Sequence, residues 1–269
     1  MATGEKATNY RAPALEKGLD ILELLAKSAA SLSATQIAQT LDRSLGEIYR
    51  ITLALESRGY IRKNPATEGY TLTLRLFELA HEFPPINRLV AVALPEMEKL
   101  VASTEQSCHL VILNGQNVLV VAQVDAPTPM RYSVRLGAQF PIAETSSGAV
   151  LLAYAQDNEK KSILADIQAN TPEFVAGLKP RIAEILARGG EVKESLVVAG
   201  VLNIAFPVFD FRGVVAALTI PYLRQTSSVV GVDTAEQLLR KRSLEISRLL
   251  GYRPPNETGQ EVQRGTEEQ

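Results

Sequence analysis

Hydrophobic residues recur along this chain at two periods, and the helical one dominates the first hundred positions. Leu15, Leu19, Leu22 and Leu25 fall on one face of a helix. Ser33-Ala34-Thr35-Gln36 has the Ser-x-x-Gln form of a capping box, followed by apolar Ile37, Ala38 and Leu41. A second box, Ser44-Leu45-Gly46-Glu47, opens a helix whose Ile48, Ile51 and Leu55 turn inward. Gly59 stands where a left-handed C-cap belongs. A turn of only about three residues separates the two capped helices, which forces a tight crossing rather than an open hairpin. Tyr60–Lys63 and Gly69–Leu72 follow as short strands around Asn64-Pro65-Ala66-Thr67-Glu68, a hairpin of wing size. Leu72, Leu76, Leu79, Ala80 and Phe83 continue on a helical stripe that stops at Pro84-Pro85, the best domain boundary in the chain.

A second long helix carries Ile86, Leu89, Val90, Ala93, Leu94, Met97, Leu100 and Val101, and Pro95 predicts a kink or junction within it. From residue 106 the period changes. His109–Leu113 and Val118–Val124 are apolar runs around Asn114-Gly115, a strong hairpin pattern. Met130, Tyr132 and Val134 alternate with Arg131, Ser133 and Arg135. Helices are expected at about 147–156, 158–169 and 178–188, and strands at about 191–198, 202–209 and 214–221. Asp210-Phe211-Arg212-Gly213 turns the last pair of strands. Asp233-Thr234-Ala235-Glu236 can cap a final helix that runs through Leu250 to Gly251. The expected class is α+β. A winged helix-turn-helix spans 13–72, a linker helix 73–84, and an α/β domain with an antiparallel sheet 85–252, between loose polar ends at 1–12 and 253–269.

Composition narrows the chemistry. A chain of 269 residues suggests two domains, and 46% apolar residues supply ample core. With a formal charge of −2, the chain as a whole is no polyanion binder, so any nucleic-acid surface is a local patch. Cys108 is the only cysteine, and His81 and His109 are the only histidines. A zinc cluster and an intrachain disulfide are therefore excluded. Met1–Arg11 lacks the apolar stretch of a signal peptide, and no uncharged apolar run approaches the roughly 18 residues of a membrane span. The chain reads as cytoplasmic, with no membrane partner. Cys108-His109 invites a nucleophile reading, but strand neighbours point to opposite faces, so adjacency does not bring thiolate and imidazole together. No Gly-rich phosphate loop or acid–base pair is visible, so neither an enzyme nor a cofactor is expected.

The second capped helix is the candidate for the major groove, which is read by residues at a helix N-terminus. Its outward positions, and those just before it, include Arg43, Ser44, Glu47, Tyr49 and Arg50. Thr35 at the start of the preceding helix joins the DNA-contacting set. Arg62 and Lys63 on the hairpin can reach phosphates. Residues 41–75 hold six basic groups (Arg43, Arg50, Arg58, Arg62, Lys63, Arg75) against four acidic ones (Asp42, Glu47, Glu56, Glu68). That margin is modest, so the paired capping boxes and basic hairpin carry the DNA reading. Arg50 and Arg58 also suit ordinary solvated helix positions, and some winged helices bind protein instead.

The N-terminal run Ala14-Leu15-Glu16-Lys17-Gly18-Leu19-Asp20-Ile21-Leu22-Glu23-Leu24-Leu25 resembles the start of IclR-family transcriptional regulators, and Leu55–Ile61 resembles that family's approach to the wing. Arg135–Ile142, Thr145-Ser146-Ser147-Gly148 and Gly200–Val208 extend the likeness over residues 12–251. The resemblance implies a GAF-like effector-binding domain and a homodimer formed largely through the DNA-binding part and linker helix, often paired into a tetramer. It also implies a repressor or activator of operator DNA that answers a small effector, an aromatic or other carboxylic acid. Two departures stand out. Gly46-Glu47 replaces the family's usual Ser-Thr pair in the recognition helix. Ala149 stands where a lysine often follows the effector-loop glycine.

Thr145-Ser146-Ser147-Gly148 precedes an apolar helix, whose unpaired N–H groups and positive dipole end suit a carboxylate. On the residues alone a plain N-cap serves as well; the resemblance makes it the effector loop. By the same resemblance Asn203 and Thr219 face the ligand. Tyr132, Phe140, Phe206 and Tyr222 are candidates to wall a ring, with core packing as their alternative role. Cys108 either lines the pocket or is an inert buried thiol. An enzyme fused to a DNA-binding domain is the second functional reading.

Overall fold

The computed structural model describes residues 12–81, 84–226 and 228–254. The expected loose ends lie outside the described residues but for 12, 253 and 254, as do positions 82 and 83 of the expected linker helix. The chain divides into two compact units at Pro84/Pro85.

The first unit packs three helices against a small hairpin. α1 (Pro13–Lys27) buries Gly18, Ile21, Leu22 and Leu25. The expected leucine face is therefore only half used, since Leu15 and Leu19 remain exposed at 64% and 50%. α2 (Ala34–Thr40) and α3 (Leu45–Ser57) each begin with a complete capping box, Ser33 with Gln36 and Ser44 with Glu47. β1 (Ile61–Lys63) and β2 (Tyr70–Leu72) pair antiparallel, with Arg62 opposite Thr71. Asn64 accepts from the Ala66 N–H to shape the loop between them. Ile21, Ile37, Ile48, Ile61 and Tyr70 form the core. α4 (Arg75–His81) ends the unit.

The second unit is a six-stranded antiparallel sheet covered on both faces. α5 (Pro84–Thr104) runs through Pro95 as one element, so of the expected kink or junction the junction is not formed. Its buried Ala93, Met97 and Leu100 fix it to the sheet, and that packing offsets the backbone hydrogen bond the ring removes. β3 (Cys108–Asn114) and β4 (Asn117–Val124) are joined by Gly115-Gln116. The two-residue turn lies one position later than the Asn-Gly reading, with positive φ at its first residue, Gly115, as a type II′ turn requires. Residues 131–135 form no strand despite their alternation; the edge strand is instead β5 (Gln139–Pro141). A short 3-10 turn, Ile142–Glu144, leads into α6 (Ser146–Tyr154). α7 (Asp157–Asn170) and α8 (Pro172–Arg188) follow, then β6 (Glu191–Glu194), β7 (Val201–Asp210) and β8 (Gly213–Leu223). α9 (Val232–Leu249) starts from Gly231 with no side-chain cap, so Asp233 does not cap it.

The strand order is β5-β4-β3-β8-β7-β6. Alternation divides the strands between two cores. Cys108, Leu110, Ile204, Phe206, Leu218 and Tyr222 pack beneath α5 and α9. Val111, Val118, Ala205 and Ala217 pack beneath α6, α7 and α8. His109, Asn203 and Thr219 share the second parity.

Candidate functional site

In the first unit, the capping boxes fix how α2 and α3 meet. Thr35, Arg43, Ser44, Tyr49, Arg50, Arg62 and Lys63 are all exposed. Glu47 is half-buried and its carboxylate is fully engaged. Lys17 on α1 donates to Oε1 at 2.6 Å, while the Ser44 hydroxyl donates to Oε2 at 3.1 Å. Those two donors hold its pKa down to about 2, so Glu47 is ionised at any working pH. It anchors α3 to α1 before it does anything else. Lys63 is likewise tied across the wing to Glu68, while Arg62 is exposed beside it. Leu45 and Tyr49, exposed at 52% and 54%, add apolar surface to the first turns of α3.

A second surface of this unit is a groove of about 970 Å³ between α1, α3 and α4. Leu15, Leu19, Leu22, Ile51, Leu76 and Leu79 line it, with Lys17, Glu47, Arg50 and Arg58 at its polar positions. The sequence offered Arg50 as a DNA contact or an ordinary solvated helix residue; the structure places it on this groove.

In the second unit a small cavity, about 40 Å³, opens between the sheet and the start of α6. Tyr132, Phe140, Thr145, Ser146, Ser147, Asn203 and Thr219 line it, and so do His109, Val111, Val134, Ser195, Val197 and Pro221. Three expected lining residues belong elsewhere. Cys108, Phe206 and Tyr222 point to the opposite face of the sheet, because their parity along β3, β7 and β8 is the opposite one. The Cys108 thiol is held against the Met97 carbonyl, and burial pushes its pKa up to about 12, so it is inert. Phe206 packs beneath the guanidinium of Arg240, and the Tyr222 hydroxyl donates to the Val230 carbonyl. Gly148 does not line the cavity, and its N–H is already taken by the Thr145 hydroxyl at 3.0 Å. It is required for another reason. A Cβ there would lie 2.4 Å from the Ile142 carbonyl oxygen and 2.7 Å from its Cα. Only glycine lets α6 start this close to the preceding turn.

Two features of this site were missed in the sequence. His109, opposite Thr219 on β8, lines the cavity and is buried. Its Nδ1 and the Thr219 Oγ1 are buried polar atoms without a hydrogen-bond partner among the described residues. The second feature is Arg181 on α8. It forms a buried two-pronged pair with Glu191 at 2.6 and 2.7 Å, and donates to the carbonyls of Ala143 and Thr145, each at 3.1 Å. Those carbonyls flank the entry to α6, so the guanidinium sets the direction in which the first turn of α6 presents its N–H groups.

Comparison with known proteins agrees with this division. Residues 14–65 match the family model of the IclR helix-turn-helix domain, and residues 86–248 match that of the bacterial transcriptional regulator IclR C-terminal domain. The chain is 29% identical over 243 residues to the HTH-type transcriptional regulator KdgR of Dickeya chrysanthemi, covering 88% of this chain and 79% of that one. It is 30% identical over 209 residues to the regulator BhcR of Paracoccus denitrificans, covering 76% and 75%. An IclR homolog from Microbacterium hydrocarbonoxydans, solved in complex with 4-hydroxybenzoate, superposes with a TM-score of 0.72 at 22% identity, covering 88% of this chain and 98% of that one. The chain therefore belongs to the IclR family of transcriptional regulators and is a DNA-binding regulator, not an enzyme.

Proposed function

We propose that this chain is a homodimeric regulator whose hold on operator DNA changes when a small carboxylic acid enters the cavity at the start of α6. The observation that carries this reading is the convergence on one cavity of the α6 first turn, Asn203 and two unpartnered buried polar atoms on the sheet. A helix N-terminus favours an anion, and buried polar groups without partners are satisfied when a polar ligand arrives. The 4-hydroxybenzoate in the related structure supports an acid as ligand class. At about 40 Å³ the cavity suits a short acid better than an aromatic one. An aromatic acid needs the segments carrying Tyr132, Val134 and Val197 to move outward. The loop is tested by calorimetric titration of Ser147→Val against wild type with aromatic and short carboxylic acids. The variant should bind at least roughly tenfold more weakly, because the added methyls block the α6 N–H groups; equal affinity removes the loop from the site.

On DNA, Arg43, Ser44, Tyr49 and Arg50 would face the major groove, with Thr35, Arg62 and Lys63 on the phosphates. Glu47 would act by orienting α3 through Ser44 and Lys17. Arg50→Ala should lower operator affinity roughly three- to tenfold and reduce the steepness of its salt dependence by about one phosphate contact. Unchanged binding and unchanged salt slope would take Arg50 off the DNA. The groove on α1, α3 and α4 is where a second copy would dock.

A further inference from the structure

Resting on the reading of this cavity as the effector site, we propose that His109 and Thr219 form its polar end and that the imidazole takes up one proton from solvent as the anion binds. Effector binding is then proton-linked and tightens as pH falls.

The geometry behind this is specific. His109 and Thr219 stand opposite each other across β3 and β8, both side chains line the same cavity, and both residues are more than nine-tenths buried. Neither Nδ1 of one nor Oγ1 of the other has a partner among the described residues. Leaving two such atoms unpaired costs stability, and a ligand oxygen placed between them recovers it. The cavity is so small that an anion held by the α6 first turn also lies close to the imidazole.

No fixed charge offsets that anion from within the cavity. Among the described lining residues the only other titratable side chain is Tyr132; the rest are Ser, Thr, Asn, Pro, Val and Phe. On β4, the residue opposite His109 is the neutral Gln123, which donates to Asp125 at 2.6 Å. Asp125 is paired with Arg131, and Arg181 behind the α6 entry is paired with Glu191, so each pair neutralises itself. His109 is thus the group able to supply positive charge where the anion sits.

In the empty cavity burial pushes the imidazole pKa down to about 4, so it is neutral near pH 7. A bound carboxylate raises that value. Between the two values binding carries a proton in, and affinity rises by up to tenfold for each pH unit lost.

The test uses the full-length protein and pyruvate, which stays an anion throughout the range. Binding is followed by the backbone amide resonances of Ser146 and Ser147 at about pH 5.5 and about pH 7.5. The His109 ring resonance is assigned by its loss in His109→Gln. Wild type should bind roughly five- to fiftyfold more tightly at the lower pH, with the His109 ring titrating at higher pH once pyruvate is present. His109→Gln should bind with little pH dependence, and Thr219→Val should bind more weakly while keeping that dependence. Pyruvate binding that shifts the α6 amides equally at both pH values, with an unmoved His109 titration, overturns the proton linkage and leaves the effector site standing. Pyruvate that shifts neither the α6 amides nor the His109 ring overturns the site and the linkage together.

Discussion

Replacing Glu191 with alanine is expected to destabilise the second unit by about 3–5 kcal/mol, lowering its thermal transition by roughly 6–20 °C. The cause is asymmetric. Arg181 and Glu191 are both buried, and Arg181 carries a charge that cannot be shed. In the native protein, two bonds to Glu191 and two to the carbonyls of Ala143 and Thr145 compensate its desolvation. Removing the carboxylate leaves an unpaired buried charge. Replacing both residues with leucine removes that charge and should cost distinctly less than Glu191→Ala alone, so a double-mutant cycle followed by calorimetry shows strong coupling. A second readout separates mere stability from positioning. Arg181→Leu/Glu191→Leu should still weaken carboxylate binding at 20 °C, because the entry to α6 has lost the guanidinium that aims it. Additive single-variant losses would show that the pair does not work as a unit.

If a second copy docks in the α1–α3–α4 groove as proposed, Leu19→Glu should leave the protein monomeric and lower operator affinity roughly 100- to 1,000-fold. Leu19 is half exposed on α1 and lies in the apolar groove with Leu15, Leu76 and Leu79. A carboxylate there costs little in the monomer, whose core uses Ile21, Leu22 and Leu25 instead. Buried against a second copy, the same charge has no partner and association is lost. The affinity falls because a dimer holds its second recognition helix at high effective concentration over the second half-site, and a monomer does not. Sedimentation gives the mass, and titration of an operator duplex gives the affinity. A Leu19→Glu protein that remains dimeric places the interface elsewhere. Met130→Glu, an exposed apolar position in the other unit, should leave both readouts unchanged.

Local chemistry made the first unit easy to read. Both capping boxes are short-range patterns that need nothing beyond four consecutive residues, and both formed. The helical stripe of α1 was less informative, because a stripe shows that a face is apolar and not what covers it. In the second unit, period-two reasoning had more to give than was taken from it. With Asn203 and Thr219 on the cavity side, Phe206 and Tyr222 stand an odd number of positions away on the same strands and must face the other core. The same parity separates His109 from Cys108. Residues 131–135 alternate like a strand yet make no strand pairing, since alternation describes a two-sided surface and extended loops have two sides as well. Arg181 and Glu191 were hidden differently. They sit among Lys179, Glu184, Arg188 and Glu194, where any one charge reads as solvated, and only the fold brings those two inside.

The ends of the six-stranded sheet bear on how copies of this protein can meet. β5 and β6, which form its two edges, are three and four residues long, while β7 and β8 inside the sheet have ten and eleven. One edge carries Pro141 and the other the exposed Lys193 and Glu194. A short strand offers few free backbone groups, and proline or closely spaced charges spoil what remains as a template for another strand. Continuous pairing of sheets between copies is thereby discouraged, so higher assembly is left to helical surfaces and loops, and a crowded solution of this protein is protected from growing ribbons edge by edge.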